Sequence, residues 1–136
     1  MKSISWSEFR TRLIDENGLT LSSVDQFSQE IGATSPSDWL RVPDWEGLDD
    51  AELLKLFKNV PDSELVVIGE VCYAHNHDPM LVDNSYSLEQ FASEYFKEFG
   101  ESLFNGDVFI FSFAANYVGI FHHEGLCYEG ELNLPC

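Results

Sequence analysis

A chain of 136 residues that sets 24 Asp and Glu against 7 Lys and Arg carries a net charge of −17. That balance excludes nucleic acid and anionic membrane surfaces as partners, because both are held by Lys/Arg patches that so few cations cannot assemble. Eleven Phe, five Tyr, three Trp and an apolar fraction of 44% also exclude a disordered acidic tail, which would be poor in aromatics. The length predicts a single domain over residues 1–136.

In chain order, Ser5-Trp6-Ser7-Glu8 has the spacing of a capping box, and Trp6, Phe9, Leu13 and Ile14 follow at helical intervals. A helix is predicted at about 6–16, with Gly18 as its stop. A second helix is predicted over 23–31, capped by Ser22 or Ser23, with Val24, Phe27 and Ile31 facing inward. Ser35-Pro36 favours a single helical turn around 36–41, ended by Pro43 and bracketed by Trp39 and Trp45. Asp49 can cap a third helix carrying Leu53, Leu56, Phe57 and Val60 on one face, closed by Pro61-Asp62.

The character of the chain changes near residue 60. Residues 65–73 begin as a β-branched, almost continuously apolar run and read as a central strand. The polar segment 75–79 reads as a turn and Met80-Leu81-Val82 as a short second strand. Ser87 and Gln90 fit another capping box ahead of Leu88, Phe91, Ala92, Tyr95, Phe96 and Phe99, which predict a long helix at about 88–99 ended by Gly100. Asn105-Gly106 and Glu124-Gly125 are turn signals between strands at 108–113, 117–121 and 126–128. Helices first and strands later predict an α+β domain: N-terminal helices, then an antiparallel sheet of about four strands with the long helix packed on it.

No motif names a reaction. His75 and His77, two apart, would share a face on extended backbone, and with His122, His123, Asp78 and Cys127 they are candidate ligands for zinc. The paired spacings of structural zinc sites do not occur, however. His122-His123-Glu124 matches only half of the zinc deaminase signature, whose P-C-x-x-C half is missing. There is no G-x-S-x-G and no phosphate-binding glycine loop. Cys72, among apolar neighbours, reads as a buried inert thiol. The expectation is therefore no catalytic residue, no cofactor and no resident metal: a binding protein rather than an enzyme.

The charge is the remaining clue. Residues 1–58 hold six Lys and Arg against eleven acids, a net of −5; residues 59–136 hold one, Lys97, against thirteen, a net of −12. The acids fall in three groups. Asp44, Glu46, Asp49 and Asp50 crowd the connector beside Trp45; Glu94, Glu98 and Glu101 line the long helix; Glu124, Glu129 and Glu131 flank Tyr128 in the last hairpin. Such carboxylates speed encounter with a basic partner, and Trp45 and Tyr128 can anchor it. In size, acidity and lack of catalytic motif the chain resembles bacterial immunity proteins and antitoxins against nuclease toxins, and also phage anti-restriction proteins that mimic DNA. The resemblance is one of bulk properties. It implies a cytoplasmic inhibitor that occludes a basic toxin, with a DNA-mimic inhibitor or a metal-dependent enzyme built on His75, His77, His122 and His123 as the alternatives. The beginning of the chain lacks the apolar run of a signal peptide, and the odd number of cysteines fits reduced thiols.

Overall fold

The structure is a computed structural model that describes residues 2–13 and 24–132. Its centre is one six-stranded sheet of β1 (Leu40–Arg41), β2 (Leu65–Ile68), β3 (Met80–Val82), β4 (Val108–Ser112), β5 (Tyr117–His122) and β6 (Leu126–Glu131). The order is β1-β6-β5-β4-β2-β3 and every pairing is antiparallel. Among the described residues five α-helices accompany it: α1 (Trp6–Thr11), α2 (Val24–Glu30), α3 (Asp50–Leu54), α4 (Glu70–Ala74) and α5 (Leu88–Phe99). The α+β class read from the sequence is thus observed, with six strands instead of four. Five of the six correspond to the apolar segments read from the sequence, and the one that no segment announced is β1. Its two residues pair with Cys127 and Leu126 at an edge, and neither is buried.

Register explains why the strands read as unbroken apolar runs. Phe109 and Phe111 point to one face, where Phe27 of α2 and Phe9 of α1 meet them edge-on at 5.2–5.8 Å. Val108 and Ile110 point to the other, and so do Phe121 and Gly119, their partners in β5. There Phe57 packs beside Gly119, and Phe104 lies 5.1 Å from Phe121. Helices cover both faces, so every residue of β2 and β4 is buried, and alternation with polar residues is lost.

Several expectations need correction. The third helix, expected to carry Val60 and to be closed by Pro61-Asp62, ends at Leu54, and the turn expected around 36–41 stops at Asp38, after which Leu40 and Arg41 pair as β1. The strand expected over 65–73 ends at Ile68, because Gly69 turns the chain into α4. A side chain at Gly69 would sit 2.9 Å from the Tyr95 hydroxyl, which instead accepts the Val71 N–H at 3.4 Å. His75 and His77 consequently do not lie on extended backbone: His75 ends α4 and Asn76 has φ 60°. Phe96, part of the apolar repeat that marks α5, is 56% exposed. It lies about 100° around the helix from the wholly buried Tyr95, and Leu88, Phe91, Ala92 and Tyr95 already fill the buried stripe. Ser87 does not cap α5: a 3₁₀ turn, Ser85–Ser87, leads into the helix and the Ser87 hydroxyl bonds Asn84 instead.

Other signals hold. Ser5 accepts the Glu8 N–H, Asp49 and Glu52 form a reciprocal capping box on α3, and α5 spans Leu88–Phe99 with Gly100 at φ 71°. The expected caps Ser22 and Ser23, the residues Ile14 and Gly18, and Cys136 lie outside the described residues. Among the described residues no helix is long and apolar enough to cross a membrane.

Candidate functional site

Strand direction brings distant acids to one end of the sheet. At this end β2 and β5 finish and β4 and β6 begin. Asp107 directly precedes β4, Glu124 sits in the β5–β6 turn, Glu70 opens α4 and Glu101 follows α5. Asp44 and Glu46 join them through Trp45, whose ring meets Phe121 at 5.1 Å. The turn glycine Gly125, at φ 84°, has no room for a side chain: a Cβ there would lie 2.4 Å from the Trp45 ring. The Val42 N–H also donates to the Gly125 carbonyl. Asp44 adopts the left-handed conformation, φ 55°, which Asp tolerates better than most residues.

The opposite end mixes both signs: Asp62 and Glu64 precede β2, Asp83 follows β3 and Glu131 closes β6, and cations stand among them. Arg12 stacks over Phe113 beyond β4, Lys2 pairs with Asp83 beyond β3 at 3.6 Å, and Lys55 faces Ser85 and Leu88 where α5 begins. Lys58 lines the same groove as Lys55, together with Glu89.

The twelve residues singled out by sequence therefore divide by role. Some hold the fold. Asp49 caps α3. Asp50 accepts the N–H groups of Leu103 and Phe104 at 3.0 and 3.4 Å. Glu129 accepts from the N–H groups of Lys58 and Asn59, both at 2.9 Å, and from the Tyr117 hydroxyl at 2.7 Å. Tyr128 is half-buried against Trp39, 5.5 Å between rings. The carboxylates of Asp44, Glu46, Glu98, Glu124 and Glu131 are exposed. Glu94, also exposed, accepts from Gln90 at 3.4 Å. Glu131 pairs with Tyr117 at the far end of β5, so the structure does not gather it with Glu124.

Sequence reasoning missed Glu70, Tyr73 and Asp107. Asn105 donates to Glu70 at 2.7 Å and to Glu101 at 3.2 Å, leaving the second Glu101 oxygen buried without a partner among the described residues. Tyr73, 47% exposed, donates its hydroxyl to the Asp107 carbonyl at 2.9 Å. Burial, then the nearby Asp107 and Glu70 carboxylates, push its ionisation well above the ordinary tyrosine range. The one available signal was Asp107 directly after the Asn105-Gly106 turn.

The histidines also separate. His77 packs edge-on to Phe99, whereas His122 and His123 stack on each other at 4.3 Å. Asp107 accepts from both the His123 N–H and its Nδ1, each at 2.8 Å. This bond to Asp107 raises the His123 pKa above the usual histidine range. His122 Nδ1 accepts the Glu124 N–H at 3.1 Å. His122, Glu124, Asp25 and Arg41 line a cavity of about 610 Å³ between α2 and the β1–β6 edge.

Comparison of the chain with family models, curated proteins and solved structures finds no match.

Proposed function

We propose that the protein is a cytoplasmic inhibitor of the immunity type, which neutralises a basic partner, a nuclease toxin, by covering its cationic groove with the acidic end of the sheet. The supporting observation is the gathering of Asp44, Glu46, Glu70, Glu101, Asp107 and Glu124 at that end, from five separate segments, while Lys2, Arg12, Lys55 and Lys58 stand at the other among Asp62, Glu64, Asp83 and Glu131. Like charges held together with few cations among them, Arg41 sharing a cavity wall with Glu124, raise the free energy of the free protein. A cationic partner relieves that repulsion on docking and is steered to the surface by it. Tyr73, exposed among these acids, is an aromatic anchor of the kind that concentrates binding energy.

Carboxylates clustered at one end suit a compact basic groove. A DNA mimic would instead need them spaced along an elongated face. The test is kinetic. Association with the basic protein captured from the producing organism should slow by ~10-fold or more in the triple variant D44N/E46Q/E124Q and lose most of its salt dependence. Association that ignores both salt and these substitutions would overturn the mechanism.

A further inference from the structure

Asp107, His122 and His123 make a more specific arrangement than a charged surface requires. We propose that they bind a divalent transition cation of the zinc class, with one coordination position left open beside the cavity lined by His122, Glu124 and Asp25. One ligand atom from each of the three lies within 4.8 Å of the others. A tetrahedral ion with bonds of ~2.0–2.1 Å needs donors ~3.4 Å apart, so the remaining closure is at most ~1.5 Å per pair. His123 is exposed and His122 only half-buried, so both rings have room to turn.

The placement is a product of the fold. Neighbouring residues on a strand point to opposite faces, but His122 is the last residue of β5. The chain turns there, and the two rings lie 24° from parallel. The β4–β5 pairing then brings Asp107 alongside, next to the Val108–Phe121 pair. No sequence spacing announces this set, which is why no resident metal is expected from the sequence.

The chemistry selects the ion. Two imidazoles with one carboxylate suit zinc and its neighbours, whereas magnesium and calcium prefer all-oxygen sites. Two hydrogen bonds give way on binding. The Glu124 N–H leaves His122 Nδ1, and the proton held between His123 Nδ1 and Asp107 Oδ1 goes to solvent. Three protein ligands leave the fourth place to water or to a donor brought by another molecule, the pattern of open rather than structural zinc sites. The inference does not depend on the proposed inhibitory role.

Calorimetric titration of the full chain with zinc chloride, paralleled by the visible spectrum with cobalt chloride, tests the site. One equivalent should bind, and cobalt should give the intense bands of tetrahedral coordination. H122A and H123A should each weaken zinc by ~10-fold or more, and D107N, which keeps an oxygen for the His123 N–H, by ~10-fold. H75A/H77A should leave the titration unchanged. Circular dichroism of each variant separates loss of a ligand from loss of the fold. If a variant does unfold, loss of the cobalt bands after histidine-specific acylation of the H75A/H77A protein, whose remaining histidines are His122 and His123, gives the same reading. Absence of binding at millimolar zinc, or binding that survives H122A and H123A or vanishes in H75A/H77A, overturns the proposal.

Discussion

The two ends of the sheet are built from the same strands and differ in their balance of charge: one is mostly acidic, and the other mixes Asp62, Glu64, Asp83 and Glu131 with cations. At one end, turns and helix termini present Asp44, Glu46, Glu70, Glu101, Asp107 and Glu124; at the other, Arg12, Lys2, Lys55 and Lys58 approach the fold. The division by sequence, −5 before residue 59 and −12 after it, cuts across this one. Asp44 and Glu46 come from the less acidic half yet stand with Glu124. Antiparallel pairing returns the chain to the same end at every second turn. Charge that is dispersed in sequence is thereby concentrated in space.

The comparison also separates carboxylates that build from those free to bind. The largest expected effect is at Glu129, which ties β6 to the loop after α3. Glu129→Ala removes the charged acceptor of two exposed backbone N–H groups and of the buried Tyr117 hydroxyl and should cost about 2 kcal/mol in urea denaturation. Asp50→Ala, which frees the N–H groups of Leu103 and Phe104, should cost about 1–2 kcal/mol in the same assay. If both substitutions were neutral, the building role would be wrong.

A third prediction contrasts the buried thiols with that solvated rim. Burial pushes the Cys72 thiol up to about 11 and the Cys127 thiol up to about 12. Both should resist alkylation at pH 8 in the native protein and react once urea exposes them, as peptide mass mapping would show. Because the fold favours the neutral thiol, this contribution to stability is whole below the unfolded value of 9.0 for Cys72 and fades as pH rises toward 11. Rapid native labelling at either residue would contradict the packing of α4 or β6. The smallest effect is on stability itself. D44N/E46Q/E124Q should raise it by about 0.5 kcal/mol or less at low salt, through relieved repulsion, with no gain at high salt.

Much of the frame was legible in the sequence, and for identifiable reasons. The α5 stripe and its Gly100 stop, the Asp49 cap of α3, and the strands on either side of Glu124-Gly125 are all local signals. What escaped depended on distant partners. The break at Gly69 follows from Tyr95 of α5 occupying the space a side chain would need. The exposure of Phe96 follows from a buried stripe narrower than the apolar pattern. The acidic end was illegible because Glu70, Glu101 and Asp107 meet only through Asn105, the α4 turn and the β4–β5 register.

The most direct test of the charge division is the association rate of the captured basic partner as a function of salt, compared among three proteins. These are the wild type, D44N/E46Q/E124Q at the acidic end, and D62N/E64Q/E131Q at the other. The predicted result is slowed association and a flattened salt dependence for the first triple variant alone. Equal slowing by both triples, or slowing by the second alone, would contradict it.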